Sequence, residues 1–140
     1  NLIEGMDIVL DASDNFETRY LVNDACIKNS IPWVYGGVLG TTGMYMPVSA
    51  SGAPCMRCIF PLPPDPGIAP SGVTAGILSS APVVIGGLQC TAAIRFLVDG
   101  DFGTPVLTMI NLWQGPQQEI IIRGDPDCPC CKKGSFDFLH

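Results

Sequence analysis

The chain has 140 residues, of which 47% are hydrophobic and 14% are charged, and its net charge is −6. This length suits one compact domain with a real core, and the apolar balance argues against a disordered chain. The negative charge argues against a nucleic-acid backbone or an anionic membrane surface as the main partner. We predict no membrane-spanning helix, because polar residues such as Gln89 and Arg95 interrupt the longest apolar stretch, 75–98.

The first predicted elements are a strand, a helix and a second strand. Residues 6–12 have the apolar centre of a strand that is buried on both faces. Ser13 and Asp14 follow as candidate N-caps of a helix that covers about 15–29. A strand at 31–35 comes next, and the strand–helix–strand order predicts a right-handed parallel crossover.

The middle of the chain is predicted to leave this crossover unit. The second strand is expected to end at Gly36 and Gly37, and a third strand covers 42–50. Because Pro47 cannot donate to a ladder, we expect the third strand near an edge of the sheet. Five prolines between 61 and 71 predict a long irregular loop, which in a compact domain usually indicates function or mobility.

The last predicted elements are one helix and two strands. The helix covers about 76–98, and Pro82 is expected either to kink it or to mark a second start. Strands at 106–112 and 118–122 are separated by a short turn, so we expect them to pair antiparallel.

Two C-x-x-C pairs, Cys55 with Cys58 and Cys128 with Cys131, predict a tetracysteine zinc site. Two residues between ligands let a tight turn direct both sulfurs at one tetrahedral ion. Cys130 leaves a C-x-C alternative for the second pair, but that spacing is rarer, so Cys131 is the preferred ligand. Four thiolates leave no open position for water, so a structural zinc is expected. A redox site is less favoured, because neither pair opens a helix after a strand.

The remaining cysteines, the two ends of the sequence and the cellular location give further expectations. Cys26 and Cys90 fall in predicted helices among apolar neighbours, and we expect both in the core. Metal-binding thiols suit a reducing compartment, so a cytoplasmic location is predicted. The sequence opens with neither a methionine nor a secretory signal, and we interpret it as a fragment of a longer protein. His140 is expected to be disordered rather than catalytic.

Asp11 and Asp14 lie where the first strand ends and the helix begins. In open α/β sheets, ligands bind at the carboxyl ends of parallel strands, and a carboxylate there could hold the magnesium ion of a nucleoside triphosphate. Arg19, about one turn further, could neutralise phosphate or fix the carboxylate. A second interpretation is equally well supported by these residues alone: Asp14 is only an N-cap, and Arg19 lies on a solvated face.

Five motifs occur in the order found in a known family: D-A-S-D-N-F-E-T-R-Y at 11–20, C-M-R-C at 55–58, A-G-I-L at 75–78, G-G-L-Q at 86–89 and C-P-C-C at 128–131. From about residue 2 to 131 the chain resembles the C-terminal half of a ThiF/MoeB/HesA-type protein, related to the ubiquitin-activating enzymes. The resemblance implies an α/β, Rossmann-like ThiF-type domain. Residues 1–140 would be its C-terminal portion, with a parallel strand–helix–strand unit, then antiparallel strands, and a tetracysteine zinc site.

The resemblance also implies an activity. Members of the family adenylate the C-terminal glycine of a ubiquitin-like sulfur-carrier protein with ATP and magnesium, in thiamine, molybdopterin or related sulfur metabolism, and usually work as homodimers. By position, Asp14 matches the catalytic aspartate that binds magnesium and ATP, and Asn15 matches the asparagine beside it at the nucleotide. The four predicted zinc ligands match as well. Residues 61–73 match the mobile crossover loop over which the carrier's tail threads.

The chain departs from the family in two respects. The family's glycine-rich phosphate loop and basic triphosphate contacts lie upstream of the motifs present, so we expect this chain alone not to turn over ATP. Gly72 stands where many members have a cysteine, so we expect the parent protein to stop at the acyl-adenylate.

Two other functions are weighed against this one. The first is a non-catalytic, zinc-stabilised module, degenerate from the family, that dimerises or binds a protein partner. The second is an NAD-dependent dehydrogenase. It has less support, because no G-x-G-x-x-G follows a strand.

Overall fold

Five strands form one mixed sheet in the computed structural model, which describes residues 2–65, 68 and 72–139. The strands are β1 (Val9–Leu10), β2 (Trp33–Leu39), β3 (Thr42–Val48), β4 (Val106–Asn111) and β5 (Gln117–Ile121). The helices are α1 (Phe16–Lys28), α2 (Gly72–Ala75) and α3 (Ser80–Asp99), and Met56–Cys58 forms a short 3-10 turn.

The strands lie in the order β1-β2-β3-β4-β5, which is also their order along the chain. β1 and β2 are parallel and are joined through α1, whereas β2–β3, β3–β4 and β4–β5 are antiparallel. The β4–β5 turn is closed by a backbone hydrogen bond of 2.7 Å from Gly115 N to Asn111 O. The predicted parallel strand–helix–strand unit and the antiparallel strands that follow it are therefore confirmed.

Helix α1 begins after Asn15, whose Oδ1 accepts the N–H of Thr18 at 2.8 Å. The predicted N-caps Ser13 and Asp14 are therefore wrong, since the side chain of Ser13 is bonded to Asp11 instead. The buried face of α1 also explains the weak amphipathic pattern in the sequence, because polar residues occupy much of it. These buried polar residues are Arg19, Asn23 and Asp24.

Strand β3 lies between β2 and β4, so the prediction that Pro47 marks an edge strand is wrong. The β3–β4 register ends at the pair Tyr45 and Thr108, and Pro47 lies two residues beyond it. There Pro47 is paired with Val34 of β2 alone. The missing N–H of Pro47 therefore interrupts no hydrogen bond to β4, which is how a proline is tolerated inside the sheet.

Strand β2 continues through Gly36 and Gly37, where the sequence predicted its end. Gly36 lies directly beneath Gln89 of α3, and an added Cβ would stand 2.4 Å from Gln89 Nε2. That nitrogen donates to Asp11 O at 2.8 Å and to Val34 O at 3.0 Å. The missing side chain thus lets α3 close against the carboxyl ends of β1 and β2.

The first strand is shorter and more exposed than predicted. Of residues 6–12, Val9 and Leu10 alone form β1, and Leu10 is 39% exposed while Met6 is 53% exposed. Within the described residues β1 pairs with β2 alone, so its other edge has no neighbour. The prediction of a strand buried on both faces is therefore wrong here.

Helix α3 begins at Ser80, later than the predicted residue 76. Pro82 falls in its first turn, where a missing N–H breaks no helical hydrogen bond, so Pro82 marks a new start and not a kink. Gly76, with φ of 74°, separates α2 from α3, and Gly100, with φ of 84°, ends α3. Both glycines occupy the left-handed region that side chains disfavour.

One face of α3 packs on the sheet through Ile85, Gln89 and Ala93. Cys90 follows Gln89 on the outer side and is exposed, so the prediction that it lies in the core is wrong. The outer face is apolar and exposes Val83, Ile94, Leu97 and Val98. Among the described helices, α3 alone would be long and apolar enough to cross a membrane, judged by length and composition.

The main core lies on the opposite face of the sheet, under α1 and the C-terminal tail. It contains Tyr20, Trp33, Tyr35, Met46, Val48, Met56 and Leu107, together with the buried cysteines. Cys26 is fully buried there, as predicted. The predicted crossover loop, 61–73, lies partly outside the described residues, and its last two residues belong to α2. His140 also lies outside them.

We expect Gly36→Ala to lower the free energy of unfolding by about 1–3 kcal/mol, because Gln89 must give up its backbone hydrogen bonds. The matched control is Gly87→Ala on α3, where an added Cβ meets nothing within 4 Å. That change should stabilise the chain by about 0.5–1 kcal/mol through helix propensity. Urea unfolding measures the free energy of unfolding of both variants. Equal changes would contradict the conclusion that Gly36 makes room for Gln89.

Candidate metal centre and strand-end site

The four predicted metal ligands meet at one point. The Sγ atoms of Cys55, Cys58, Cys128 and Cys131 all lie within 4.8 Å of one another. Cys55 and Cys128 are 3.7 Å apart and Cys58 and Cys131 are 3.5 Å apart, sulfur to sulfur. A tetrahedral ion with metal–sulfur bonds of about 2.3 Å holds its ligands about 3.8 Å apart. The four thiols therefore could hold one tetrahedral metal ion.

Two tight turns present these sulfurs. In the first, Cys58 N donates to Cys55 O at 3.0 Å as the chain enters the 3-10 turn. In the second, Lys132 N and Lys133 N both donate to Cys128 O, at 3.3 and 3.1 Å. Each turn carries one buried and one half-buried sulfur. The C-x-x-C spacing thus works as predicted, because each turn directs both of its thiols to the same side.

Cys130 is not one of the four grouped sulfurs, so the rarer C-x-C alternative is not supported. Its buried thiol hydrogen-bonds the Cys55 sulfur, and this contact lowers the pKa of Cys55 to about 5. The same hydrogen bond and burial raise the pKa of Cys130. Burial raises the pKa of Cys131 and of Cys128. Cys130 therefore keeps its proton and supports a neighbouring thiolate.

Asn23 connects α1 to both turns of the metal centre. Its Oδ1 accepts the N–H of Met56 at 3.1 Å, and its Nδ2 donates to Cys130 Sγ at 3.3 Å. The side chain of Asn23 is fully buried, and these contacts satisfy its amide. The first turn, the second turn and α1 are thus held by one side chain.

Arg57, inside the first C-x-x-C pair, ties the tail to the same place. Its guanidinium donates to Asp137 Oδ2 at 2.8 Å, to Ser135 O at 3.1 Å and to Asp24 Oδ2 at 3.4 Å. It also lies 5.0 Å from the ring centroid of Phe138. Burial opposes the charge, but the hydrogen bond to Asp137 and the charge of Asp24 raise the pKa of Arg57. Sequence reasoning missed this network; its one local signal is an arginine between two predicted metal ligands.

A second buried ion pair organises the loop between β1 and α1. This loop, residues 11–15, is called the strand-end loop below. Asp11 is 4% exposed, and its Oδ1 accepts both N–H and O–H of Ser13, at 2.9 and 2.6 Å. Its Oδ2 accepts from Arg19 Nε at 3.3 Å and from Gly36 N at 3.4 Å. Arg19 is buried and also donates to Ser13 O at 2.9 Å. Arg19 therefore fixes a carboxylate and does not lie on a solvated face.

Asp14 and Asn15 stand exposed at the tip of this loop. Asn15 Nδ2 donates to Asp14 Oδ1 at 3.1 Å, while Asn15 Oδ1 is engaged in capping α1. Because Asn15 is the cap, Asp14 is not needed for capping, and its carboxylate is exposed in the loop after β1. The loop thus presents Asp14 outward and keeps Asp11 inside.

The predicted nucleotide residues and the cysteine group are separate sites joined by α1. Asn15 caps the helix, and Asn23, eight residues later, touches the metal centre. At a rise of about 1.5 Å per residue, the two positions are about 12 Å apart along the helix. The cysteines can therefore support the strand-end loop through α1 but cannot take part in chemistry at Asp14.

We expect Arg57→Met to lower the free energy of unfolding of the metal-loaded chain by about 3–5 kcal/mol, because it leaves the buried Asp24 carboxylate without a counter-charge. Lys133→Met is the matched control, since Lys133 forms an exposed pair with Asp127 at 3.3 Å. Breaking that pair should change stability by less than about 1 kcal/mol. Urea unfolding measures the free energy of unfolding of both variants. Similar losses would show that the buried ion pair of Arg57 contributes no more to stability than the exposed pair of Lys133.

Comparison with known proteins places the chain in a family. Residues 1–130 match the ThiF family. The SAMP-activating enzyme E1 of Haloferax volcanii is 38% identical over 140 residues, which cover 99% of this chain and 52% of that protein. The sulfur carrier protein adenylyltransferase of Thermus thermophilus is 36% identical over 138 residues, which cover 93% of this chain and 50% of that protein. The chain spans about half the length of these curated relatives.

The sulfur carrier protein ThiS adenylyltransferase of Bacillus subtilis is 37% identical over 141 residues, covering 99% of this chain and 41% of that protein. A crystal structure of E. coli MccB with MccA-N7isoASN superposes with a TM-score of 0.67 at 14% identity, over 90% of this chain and 40% of that chain. The second likeness concerns the fold alone and agrees with the predicted Rossmann-like arrangement. The chain belongs to the ThiF family.

Proposed function

We propose that this chain is part of an ATP-dependent adenylyltransferase that activates the C-terminal glycine of a ubiquitin-like sulfur-carrier protein. The observation that carries the proposal is the exposed carboxylate of Asp14 in the loop after the carboxyl end of β1. It stands in a chain whose relatives, 36–37% identical, are named as adenylyltransferases of sulfur-carrier proteins. Thiamine, molybdopterin or related sulfur metabolism is the proposed setting.

The donor chemistry of the strand-end loop suits a magnesium–nucleotide complex. Magnesium prefers carboxylate oxygens and keeps several waters, so a single exposed carboxylate is an adequate protein ligand. Asp11 cannot serve, because its oxygens accept hydrogen bonds from Ser13, Arg19 and Gly36. Asp14 would therefore hold the metal, and Asn15 would lie beside the nucleotide.

The reaction asks for positioning and charge stabilisation more than for covalent work. The carrier's terminal carboxylate attacks the α-phosphorus of ATP in line, and pyrophosphate leaves. Magnesium bound at this loop would supply charge neutralisation at the phosphate oxygens. The contribution of Asp11 and Arg19 is to hold the backbone at Ser13, so that Asp14 is presented in one place.

The proposed metal at the cysteine group is zinc in a structural role. Bound to one ion, the four grouped thiols would form a closed tetrahedral set, which would leave no coordination position for water or substrate. Such a site needs reduced cysteines, which supports a cytoplasmic location. Its proposed task is to hold the tail against α1 and so to support the helix that carries the strand-end loop.

The remaining proposals concern the partner and the assembly. The partner is a ubiquitin-like sulfur-carrier protein, whose tail would thread over the proposed crossover loop, 61–73. Gly72 at the family's cysteine position supports a reaction that stops at the acyl-adenylate. We also propose that two copies of the protein form a homodimer.

Purified from a reducing host, the chain should contain one zinc per molecule. We expect Cys55→Ser and Cys131→Ser to lose it, because each removes one of four thiolates and the loss should also unfold the tail. Cys90→Ser is the control, since this exposed thiol lies outside the group. Elemental analysis gives the metal content. A stably folded chain without metal would overturn the zinc proposal.

We expect Asp14→Asn in the intact protein to slow carrier-dependent ATP–pyrophosphate exchange by about 100-fold or more, because the substitution removes the charge that holds magnesium. Glu17→Gln is the control, because Glu17 is another exposed acid three residues later, in the first turn of α1. It should leave exchange within about twofold of the wild type. Exchange that survives in the Asp14 variant would show that the role assigned to Asp14 is wrong, whereas a wild-type protein without any exchange would favour the non-catalytic module.

A further inference from the structure

The chain is held against α1 at Phe60, where it leaves the metal centre. Tyr20 of α1 is fully buried, and its hydroxyl donates to Phe60 O at 2.9 Å. Burial raises the pKa of Tyr20 to about 12, so the hydroxyl keeps its proton and remains a donor. Phe60 N donates to Met56 O at 2.9 Å. Both backbone groups of Phe60 are therefore bonded, one to the turn of the metal centre and one to α1.

Phe60 is the last residue before the proposed crossover loop. Pro61, Pro63 and Pro64 follow it, and a proline has no backbone N–H with which to bind the rest of the fold. Pro61 and Pro64 are exposed, and the intervening Leu62 is 74% exposed. The course of the chain after the metal centre therefore depends on where Phe60 is held.

A row of side chains connects Phe60 with the strand-end loop. The ring centroids of Phe60 and Tyr35 are 6.4 Å apart, within the range of aromatic pairs. The guanidinium of Arg19 lies 5.6 Å from the ring centroid of Tyr35, and Arg19 is paired with Asp11 of the strand-end loop. Tyr35 and Asp11 are each 4% exposed. The position of Phe60 is therefore tied to the loop that carries Asp14.

The hydroxyl of Tyr20 can be separated from the packing of its ring. The ring centroid lies 4.8 Å from that of Phe138 in the tail, a contact that a phenylalanine at this position would also make. The hydroxyl adds the hydrogen bond to Phe60 O, which holds the chain and does not fill the core. Core packing therefore does not require the hydroxyl, and its effect can be measured without creating a large cavity.

We infer that Tyr20 is a positioning residue for the adenylation reaction: its hydroxyl fixes the start of the crossover loop relative to the strand-end loop. The inference rests on the proposed function, in which the carrier's tail passes over the crossover loop to the nucleotide at Asp14. Tyr20 acts through Phe60 and takes no part in the chemistry. Because groups that are held in place react faster than groups that must first find each other, a fixed loop start aids the approach of the tail.

Amide hydrogen exchange tests the anchoring contact in the zinc-loaded chain, without any reaction. Tyr20→Phe should speed exchange of the Phe60 amide by about tenfold or more, because the chain at Phe60 then opens more often, while the zinc content stays at the wild-type level. Tyr45→Phe is the matched control, because Tyr45 is half-buried on β3 and lines a cavity against α3, on the other face of the sheet. The control should leave the exchange rate of the Phe60 amide within about twofold of the wild type.

Carrier-dependent ATP–pyrophosphate exchange by the intact protein tests the positioning role. Tyr20→Phe should raise the KM for the carrier about threefold or more, because the carrier binds only the fraction of molecules in which the loop start is in place. The kcat and the KM for ATP should stay within about twofold of the wild type. Phe60→Leu keeps the backbone acceptor but loses the ring contact with Tyr35, so it should raise the same KM.

The two measurements separate the contact, its role and the proposed function. Unchanged exchange of the Phe60 amide in Tyr20→Phe would show that the hydroxyl does not hold the chain. A carrier KM that stays unchanged, or a loss shared equally by kcat and both KM values, would show that Tyr20 is only structural. A wild-type protein without pyrophosphate exchange would overturn the proposed function and the positioning role together, whereas amide exchange would still decide the contact.

Discussion

The fold depends on the contact between two pairs of cysteines that are 73 residues apart in the chain: Cys55 lies against Cys128, and Cys58 lies against Cys131. To bring them together, the tail after β5 must return beneath the sheet and lie against the turn at Met56–Cys58. A bound metal would supply folding free energy at this point, because no preformed site exists in the unfolded chain. The short tail, which has no helix or strand of its own among the described residues, is thereby held in place.

Helix α1 transmits this constraint to the other end of the domain. Asn23 and Asp24 attach it to the metal centre and to Arg57, while Arg19 attaches its first turn to Asp11. The helix therefore buries polar and charged side chains that each have a specific partner. Such groups are costly to bury unless they are paired, so they fix the position of α1 more narrowly than apolar packing alone would.

Much of this could be predicted from the sequence, and the errors share a cause. The order of the elements, the parallel first pair and the four grouped cysteines follow from local spacing, which the sequence shows directly. The position of Pro47 in the sheet depended on where the β3–β4 ladder ends. The exposure of Cys90 depended on which side of α3 meets the sheet. These are long-range facts that no local pattern contains.

The position of Cys90 has a practical consequence. Of the seven cysteines it is the one classed as exposed; Cys26 and Cys130 are buried, and the remaining four are grouped at the metal centre. Thiol reagents react with accessible thiolates and spare buried or metal-bound ones. On a metal-loaded chain, a maleimide dye would therefore attach to α3 alone. The outer surface of this helix can thus be followed by fluorescence without any change to the sequence.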